Sequence, residues 1–184
     1  AQTCNVPPHN ILALTFTNKA AREMRQRLVS LLSRDMQGLF AGTFHSFCAM
    51  ILRQDGTHVG VDSNFSIFDD SDQISLIKQA MKETEIDPKR FDIRTIQTRI
   101  SAAKSKLVTP EGFGSHKKEY LDEIVLRVYE KYEQLLGRAS GVDFDDLLLK
   151  TYLLLKTYPD VAIRYQERYK YLLIDEFQDT NIAQ

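Results

Sequence analysis

The sequence predicts an α/β fold, mostly helical, with a small parallel sheet built from segments near both ends of the chain. Two short apolar runs, residues 11–16 and 39–44, flank a helical pattern, and strand–helix–strand is the unit of a parallel sheet. A third apolar run, residues 172–174, is typical of a strand buried on both faces. Helical spacing dominates between the second and third runs, and no further strand is predicted before Tyr171.

The helices follow from caps and apolar spacing along the chain. Asn18 is expected to cap a helix over residues 20–32, and residues 45–53 form a second helix after the second strand. Glycines at 112 and 114 are expected to interrupt a helix that begins at a proline. The later helices are predicted to begin at Ser71 or Asp72, near Ile93 and at Pro110, to cover residues 119–137 and 143–156, and to follow Pro159.

Composition argues for a folded domain in a reducing compartment. The 184 residues are 43% hydrophobic and 27% charged, which argues against disorder. No apolar stretch is long enough to span a bilayer and no signal peptide is evident, so no membrane partner is expected. Cys4 and Cys48 lack the spacing of a metal site or a disulfide framework, which favours a cytoplasmic location.

Two adjacent carboxylates follow the third strand. Asp175 can hold a magnesium ion that bridges phosphates, and Glu176 can orient or deprotonate an attacking water. The alternative is a strand that runs into an acidic turn. Because Gln178, Asp179 and Thr180 follow in order, we favour a nucleotide hydrolase site.

The net charge of −1 hides a basic stretch in the middle of the chain. Residues 94–118 hold six basic residues against one acid, Glu111. A basic stretch can follow a phosphate backbone, although charge alone favours a solvated helix face. The six residues are Arg94, Arg99, Lys104, Lys106, Lys117 and Lys118.

Four segments resemble, in order, motifs Ia, Ib, Id and II of the superfamily 1 DNA helicases of the UvrD/Rep/PcrA type. They are residues 14–21 (LTFTNKAA), 42–47 (GTFHSF), 142–148 (VDFDDLL) and 175–181 (DEFQDTN). The intervening helices resemble the 1B insertion of that family. The resemblance therefore covers nearly the whole chain.

The resemblance implies a motor of two RecA-like lobes of the P-loop NTPase type, which binds ATP and Mg²⁺ and translocates 3′-to-5′ on single-stranded DNA while unwinding duplex DNA. Residues 1–44 and 170–184 would form part of lobe 1A, and residues 45–169 a large all-helical 1B insertion. The sequence contains no Gly-x-x-x-x-Gly-Lys-Ser/Thr phosphate loop. We therefore expect a fragment of a longer parent, with no ATP bound to the fragment and no hydrolysis by it.

The resemblance also implies a DNA-binding surface at the ends of the first two strands. Phe16 would lie against a DNA base rather than in the core, since stacking tolerates any base. Thr17, Asn18 and Lys19 open the following helix and suit a phosphate. The corresponding residues after the second strand are Thr43, His45 and Ser46, with His45 in contact with DNA, in a bridge to motif II, or structural.

Further roles rest on the same resemblance. Gln178 joins Asp175 and Glu176 in the catalytic set and, with Asp179, would link the nucleotide site to the DNA-facing motifs, unless both only cap a helix. Duplex DNA is expected along the basic stretch, on Lys104, Lys106, Lys117 and Lys118. The acidic residues Asp143, Asp145 and Asp146 are expected to cap a helix and make polar contacts rather than bind a metal.

The sequence predicts an ATP-dependent DNA helicase of repair or replication as the parent. One alternative is a non-enzymatic DNA-binding 1B module, and another is a subunit of a helicase–nuclease of the AddA/RecB type. A phosphate loop upstream or a distal nuclease motif in a longer sequence would separate them. Single-stranded and duplex DNA are the expected partners, and protein partners are not predicted.

Overall fold

The computed structural model describes residues 6–32, 38–115 and 119–184, and the predicted α/β, mostly helical class is confirmed. None of the described helices combines the length and apolar character needed to cross a membrane. The strands are β1 (Ile11–Thr15), β2 (Phe40–Thr43), β3 (Ser66–Phe68), β4 (Gly141–Asp143) and β5 (Tyr171–Ile174). The helices are α1 (Asn18–Leu32), α2 (Phe44–Asp55), α3 (Asp70–Glu83), α4 (Ile93–Ser105), α5 (Pro110–Gly114), α6 (Tyr120–Arg138), α7 (Phe144–Thr157) and α8 (Pro159–Arg168).

The three predicted strands form one parallel sheet in the order β2-β1-β5. Leu12 lies opposite Phe40 in β2, and Leu14 lies opposite Ile174 in β5. β1 is the central strand, and its residues Leu12, Ala13 and Leu14 are buried. All three strands point the same way, so their carboxyl ends meet at a single edge of the sheet.

The prediction that the third strand is buried on both faces is wrong for this chain. β5 is an edge strand, and Leu172 and Leu173 are 56% and 59% exposed. Open grooves border its two faces, one shared with Met24 and Leu28 of α1 and the other with α7 and α8. Its apolar sequence is that of a covered strand, but within the described residues only β1 pairs with it.

The prediction of an all-helical insertion without a strand before Tyr171 is also wrong. β3 and β4 form a two-stranded parallel sheet in which Ser66 lies opposite Gly141. Each strand has three residues, too few to display the alternation by which strands are recognised. Their pairing is a tertiary contact, and a Cβ at Gly141 would lie 2.7 Å from the ring of Phe68, so a larger residue there would require that ring to move.

Two buried apolar clusters organise the interior. The first, the sheet cluster, joins β1 to α2, α7 and α8, and the second, the helix cluster, joins α3, α4 and α6. The predicted boundary at residues 44 and 45 does not separate these clusters, because α2 belongs with the sheet; the assignment to lobe 1A and insertion 1B stays a prediction. The sheet cluster includes Leu14, Phe44, Ile51, Leu147 and Tyr165, and the helix cluster includes Ile77, Ile96, Val128, Tyr132 and Leu136.

Helix caps lie close to their predicted positions but not always on the predicted residue. The Thr17 hydroxyl accepts the Ala20 amide at 3.0 Å, so Thr17 rather than Asn18 caps α1. Asp69, not Ser71 or Asp72, caps α3 in a reciprocal box with Asp72. In each case an adjacent polar residue competes for the same role, and the exact helix start decides between them.

Candidate functional site

The carboxyl edge of the β2-β1-β5 sheet gathers the predicted site residues. Phe16 follows β1, Thr43 ends β2, and Asp175 follows β5. Neighbouring strands lie about 4.8 Å apart, so these positions stand side by side along one edge. The Asp175 amide donates to the Leu14 carbonyl at 2.9 Å, which extends the pairing of β5 with β1 to the first acidic residue.

An open cleft of about 770 Å³ lies at the β1 and β2 part of this edge. Five of the residues predicted to bind DNA line it together. Residues from β3 and α7 complete the opposite wall. The lining comprises Phe16, Asn18, Thr43, His45, Ser46, Ala49, Met50, Arg53, Ile67, Phe144 and Leu147.

Aromatic and apolar side chains form the walls of the cleft. Phe16 is half-buried, with its ring centroid 5.5 Å from that of Phe44, so one part of the ring packs on the core while the residue also lines the cleft. Phe144 is 48% exposed, and its ring meets that of His45 edge-on at 5.8 Å. The core alternative for Phe16 therefore describes part of its surroundings, and its contact with a DNA base stays a prediction.

Six lining residues were not among the predicted site residues, and Ile67 and Phe144 show two different reasons for that. Phe144 lies within residues 142–148, and an aromatic residue at the first position of an acidic helix start is a signal that the sequence did offer. Ile67 belongs to β3, which has no recognisable strand pattern, and it is 40% exposed. Only the pairing of β3 with β4 reveals that it borders the cleft.

Polar side chains at the cleft floor are occupied by helix capping. The Thr43 hydroxyl accepts the Ser46 amide at 3.2 Å, and the Ser46 hydroxyl accepts the Thr43 amide at 2.9 Å. A Cβ on Gly42 would lie 2.7 Å from Ser46 Oγ, so the closeness of this turn depends on glycine. The box fixes the start of α2 at the end of β2 and thereby positions His45 at the cleft.

The cleft carries little free positive charge. Burial lowers the pKa of His45, an effect that the nearby Asp145 carboxylate only partly opposes, so the ring is neutral at neutral pH. The Arg53 guanidinium is engaged with the protein, since it donates to the carbonyls of Ser63 at 3.1 Å and Phe65 at 3.3 Å. The surface therefore suits stacking of flat, apolar groups better than binding of isolated phosphates.

The acidic pair stands exposed at the end of β5. Glu176 adopts a left-handed conformation (φ 52°), which is uncommon for a residue with a side chain, and it turns the chain into the short 3₁₀ turn Phe177–Asp179. Gln178 Nε2 donates to the Glu176 carboxylate. The Asp175 carboxylate is exposed and takes part in no hydrogen bond among the described residues.

The acidic pair could supply a ligand to a magnesium ion. An exposed carboxylate at a strand end supplies the hard oxygen ligand that Mg²⁺ prefers, and Asp175 is the residue that would hold it. When bound, the ion would neutralise charge on a nucleotide phosphate. A nucleotide site would also need the amides and lysine of a phosphate loop, and the sequence contains no Gly-x-x-x-x-Gly-Lys-Ser/Thr motif.

The structure does not support the prediction that Lys104 binds DNA. Its side chain is fully buried, and its ammonium lies 2.7 Å from Asp143 Oδ2 and 2.8 Å from Asp146 Oδ1. An ammonium enclosed by carboxylates cannot reach a phosphate backbone. Lysine on a basic stretch looks the same in sequence whether its neighbours in space are water or acids.

The rest of the basic stretch is divided. Arg94 forms an exposed ion pair with Asp70 at 2.8 Å, and Arg99 pairs with Asp122 at 3.2 Å. Lys106 is exposed and does not line the cleft. Lys117 and Lys118 lie outside the described residues. Thr17 and Lys19, also predicted to bind DNA, are exposed beside the cleft residue Asn18.

The acidic cluster at the start of α7 has the structural role predicted for it. Asp143 caps the helix and accepts the Asp146 amide at 2.7 Å. Carboxylate oxygens of Glu133, Asp143 and Asp146 lie within 4.8 Å of one another, but the Lys104 ammonium already stands among them. The cluster therefore holds an internal cation in the place where a metal would bind.

Comparison with known proteins agrees with this arrangement. A sequence model of the UvrD/REP helicase N-terminal domain matches residues 1–184. The ATP-dependent DNA helicase PcrA of Bacillus subtilis is 46% identical over 180 residues, which cover 98% of this chain and 24% of that protein. PcrA of Leuconostoc citreum is 44% identical over 184 residues, covering 100% of this chain and 25% of that protein. PcrA of Staphylococcus aureus is 42% identical over 180 residues, covering 98% and 25%.

These relatives are about four times as long as the region that matches them, so the chain spans about a quarter of their length. The match runs along the whole chain, from the first strand through the acidic pair, and includes the segments that build the cleft. The chain belongs to the UvrD/REP helicase family.

Proposed function

We propose that this chain is part of an ATP-dependent DNA helicase and supplies a single-stranded DNA surface beside one half of a nucleotide site. The observation that carries the proposal is the sheet edge itself. It places the aromatic cleft after β1 and β2 and the exposed acidic pair after β5. A motor that converts hydrolysis into movement needs these two sites to be mechanically connected, and a shared sheet edge is such a connection.

Single-stranded DNA would enter the cleft with its bases against aromatic side chains. Phe16 and Phe144 both line the cleft, and stacking on an aromatic ring is worth about 1–3 kcal/mol per base without sequence preference. The exposed Lys19 and the first amides of α1 and α2 would contact the phosphates that lead into and out of it. His45 and Ser46 would contribute from the start of α2.

The acidic pair would act on a nucleotide whose phosphates are held by another part of the protein. Asp175 would hold Mg²⁺, and Glu176 would orient or deprotonate the attacking water. Gln178, which donates to the Glu176 carboxylate, would hold that side chain in place. Since the phosphate loop is absent from the sequence, we expect the isolated chain not to hydrolyse ATP.

Further properties are part of the proposal by resemblance alone. They are 3′-to-5′ translocation, unwinding of duplex DNA along the insertion, a role in repair or replication, and a cytosolic location. Protein partners are not identified. The relatives described above are PcrA helicases, and no observation favours the helicase–nuclease alternative.

A paired assay of the chain and a full-length protein that contains it tests the proposal. Steady-state ATP hydrolysis is measured for both, with and without single-stranded oligonucleotide, after purification to the same standard. We expect DNA-stimulated turnover from the full-length protein and background turnover from the isolated chain. Turnover by the chain itself, abolished by Glu176→Gln, would refute the expected division of the nucleotide site.

An alternative function, a DNA-binding module without catalysis, is supported for the isolated chain. It has a formed cleft and an incomplete nucleotide site, which is the arrangement of a DNA-binding module without catalysis. Binding of single-stranded oligonucleotide by the isolated chain, with no turnover, is the result expected of such a module. Absence of turnover in the full-length protein would favour this alternative over the motor.

A further inference from the structure

A buried cluster around Lys104 joins one ammonium to three carboxylates and a tyrosine hydroxyl. The Lys104 ammonium contacts Asp143 and Asp146 at 2.7 and 2.8 Å, and Glu133 Oε1 lies 2.6 Å away in an ion pair without hydrogen-bond geometry. The Tyr132 hydroxyl donates to Asp143 Oδ2 at 2.7 Å, and the ammonium stands 5.0 Å from the Tyr132 ring. These five residues, the Lys104 cluster, come from α4, α6 and the start of α7.

Joining helices through buried charged residues carries a large desolvation cost. Removing an ammonium and carboxylates from water costs several kcal/mol per ion, and well-packed apolar residues often hold helices together equally well. In some proteins a buried, directional cluster fixes the register between the elements that it connects. The position of the cluster therefore indicates which register matters.

The cluster fixes the first turn of α7, which carries a wall of the cleft. Asp143 and Asp146 are the cap and third residue of α7, and between them Phe144 lines the cleft at its exposed face. A second link joins the same two helices, since the Ser101 hydroxyl donates to Asp145 Oδ2 at 2.6 Å. Ser101 and Lys104 are three residues apart on α4, so one face of that helix holds three acidic residues of the turn.

We propose that Lys104 is a positioning residue for the DNA cleft, acting from α4 through Asp143 and Asp146 on the aromatic wall at Phe144. The inference rests on the proposed function, because it assumes that the cleft binds single-stranded DNA. It assigns α4, which itself contributes no residue to the cleft lining, a role in the shape of the cleft. The helix cluster and the DNA surface are connected through this point.

The test is a double-mutant cycle in the full-length protein. Lys104→Met, Phe144→Ala and the double variant are titrated with a fluorescently labelled single-stranded oligonucleotide, and affinities are corrected for the folded fraction measured by circular dichroism. We expect Phe144→Ala to weaken binding about tenfold, the loss of one modest stacking contact. Lys104→Met should weaken it by a similar factor in the wild-type background and by less than about twofold once Phe144 is absent.

A matched control separates position from general stability. Lys131 on α6 pairs with Glu83 on α3 at 2.8 Å and does not touch α7 through that pair. Lys131→Met should leave oligonucleotide affinity per folded molecule unchanged. An equal loss of affinity in the control and in Lys104→Met would mean that the Lys104 cluster is merely structural, and so would a Lys104→Met loss that persists in the Phe144→Ala background.

A milder variant decides the matter if Lys104→Met does not fold. Ser101→Ala removes only the hydrogen bond to Asp145 and should weaken binding about twofold to threefold, again only when Phe144 is present. Unchanged affinity in Ser101→Ala, in that case, would overturn the inference. Failure of the proposed function looks different, since Phe16→Ala and Phe144→Ala would then have no effect on DNA affinity at all.

Discussion

Acidic residues follow two strands, β4 and β5, and the two groups differ in burial: one is buried and the other is exposed. Asp175 and Glu176 follow β5 and are exposed, with Gln178 as the side-chain partner of Glu176. Asp143 and Asp146 lie at the end of β4 and the start of α7, are buried, and share the ammonium of Lys104. Both patterns read in sequence as acidic residues after a short apolar segment.

The difference between them is where the compensating positive charge comes from. Burial is tolerated at the start of α7 because a lysine from α4 is supplied within the fold. At the end of β5 no such cation lies among the described residues, so the carboxylates stay in water, available to an external ion. We therefore interpret the buried group as structural and the exposed pair as the candidate for chemistry.

The largest effect should come from the exposed pair. In the full-length protein, Glu176→Gln removes a base while it keeps the shape of the side chain, and turnover should fall by about 10²–10⁴-fold with ATP binding largely intact. DNA-stimulated hydrolysis and nucleotide binding are measured in parallel. Near-normal turnover would remove Glu176 from the catalytic set and weaken the contrast between the two acidic groups.

Mutation of the buried group should instead lower the free energy of unfolding. Lys104→Met removes the buried cation shared by Asp143 and Asp146 and leaves Lys150, 3.6 Å from Asp146, as the remaining ion-pair partner. Loss of one partner of a buried pair costs about 3–5 kcal/mol. Chemical denaturation of wild type and variant gives the difference in the free energy of unfolding. Arg94→Ala, which breaks the exposed pair with Asp70, is the matched control and should leave the free energy of unfolding nearly unchanged.

A ring at the sheet edge provides an intermediate effect. Phe16→Ala in the full-length protein should weaken single-stranded DNA binding by about 1–3 kcal/mol, with similar losses on unrelated sequences. Since Phe16 also packs on Phe44, some stability should be lost as well. If the melting temperature falls while the affinity for single-stranded DNA per folded molecule is unchanged, the ring of Phe16 acts only in the core.

The buried group should also give a pH signature. Burial raises the pKa of Asp146 to about 7 from an ordinary value of 3.8, although the Lys104 ammonium opposes the shift. The folded state then binds a proton that the unfolded chain releases, so the contribution of Asp146 to stability declines as pH rises from about 4 to 7. Unfolding curves across this range should show a smaller decline in Asp146→Asn than in wild type; equal slopes would contradict the assignment.

The smallest effect is expected from Lys106, two residues beyond Lys104 but exposed. If duplex DNA lies along this part of the insertion, Lys106→Ala should flatten the log–log dependence of duplex affinity on salt by about 0.9, one phosphate contact, without changing sequence preference. Salt titrations of duplex binding measure the slope. An unchanged slope would mean that this lysine, unlike Lys104, has neither an internal nor a DNA partner.

Local sequence patterns predicted most of the helices and strands and some of the residues that line the candidate site. Sequence patterns suffice where the interacting residues are adjacent in the chain. Examples are the apolar run of residues 11–16, the capping residues of α7, and the acidic pair at 175 and 176. Phe144 was missed as a cleft residue although it lies in a recognisable motif. Ile67 was not recoverable, since β3 exists only through its pairing with β4, more than seventy residues away.

By itself, the sequence determined the α/β class, the three-stranded parallel arrangement, the approximate start of most helices and the family, because these depend on spacing and residue type along a short stretch. Only the tertiary structure decided that Lys104 is an internal cation while Lys106 faces water, and that β5 is exposed at the sheet edge. The physical reason is common to both decisions. A charge or an apolar face acquires its role from what lies across from it in space, and sequence distance carries no record of that neighbour.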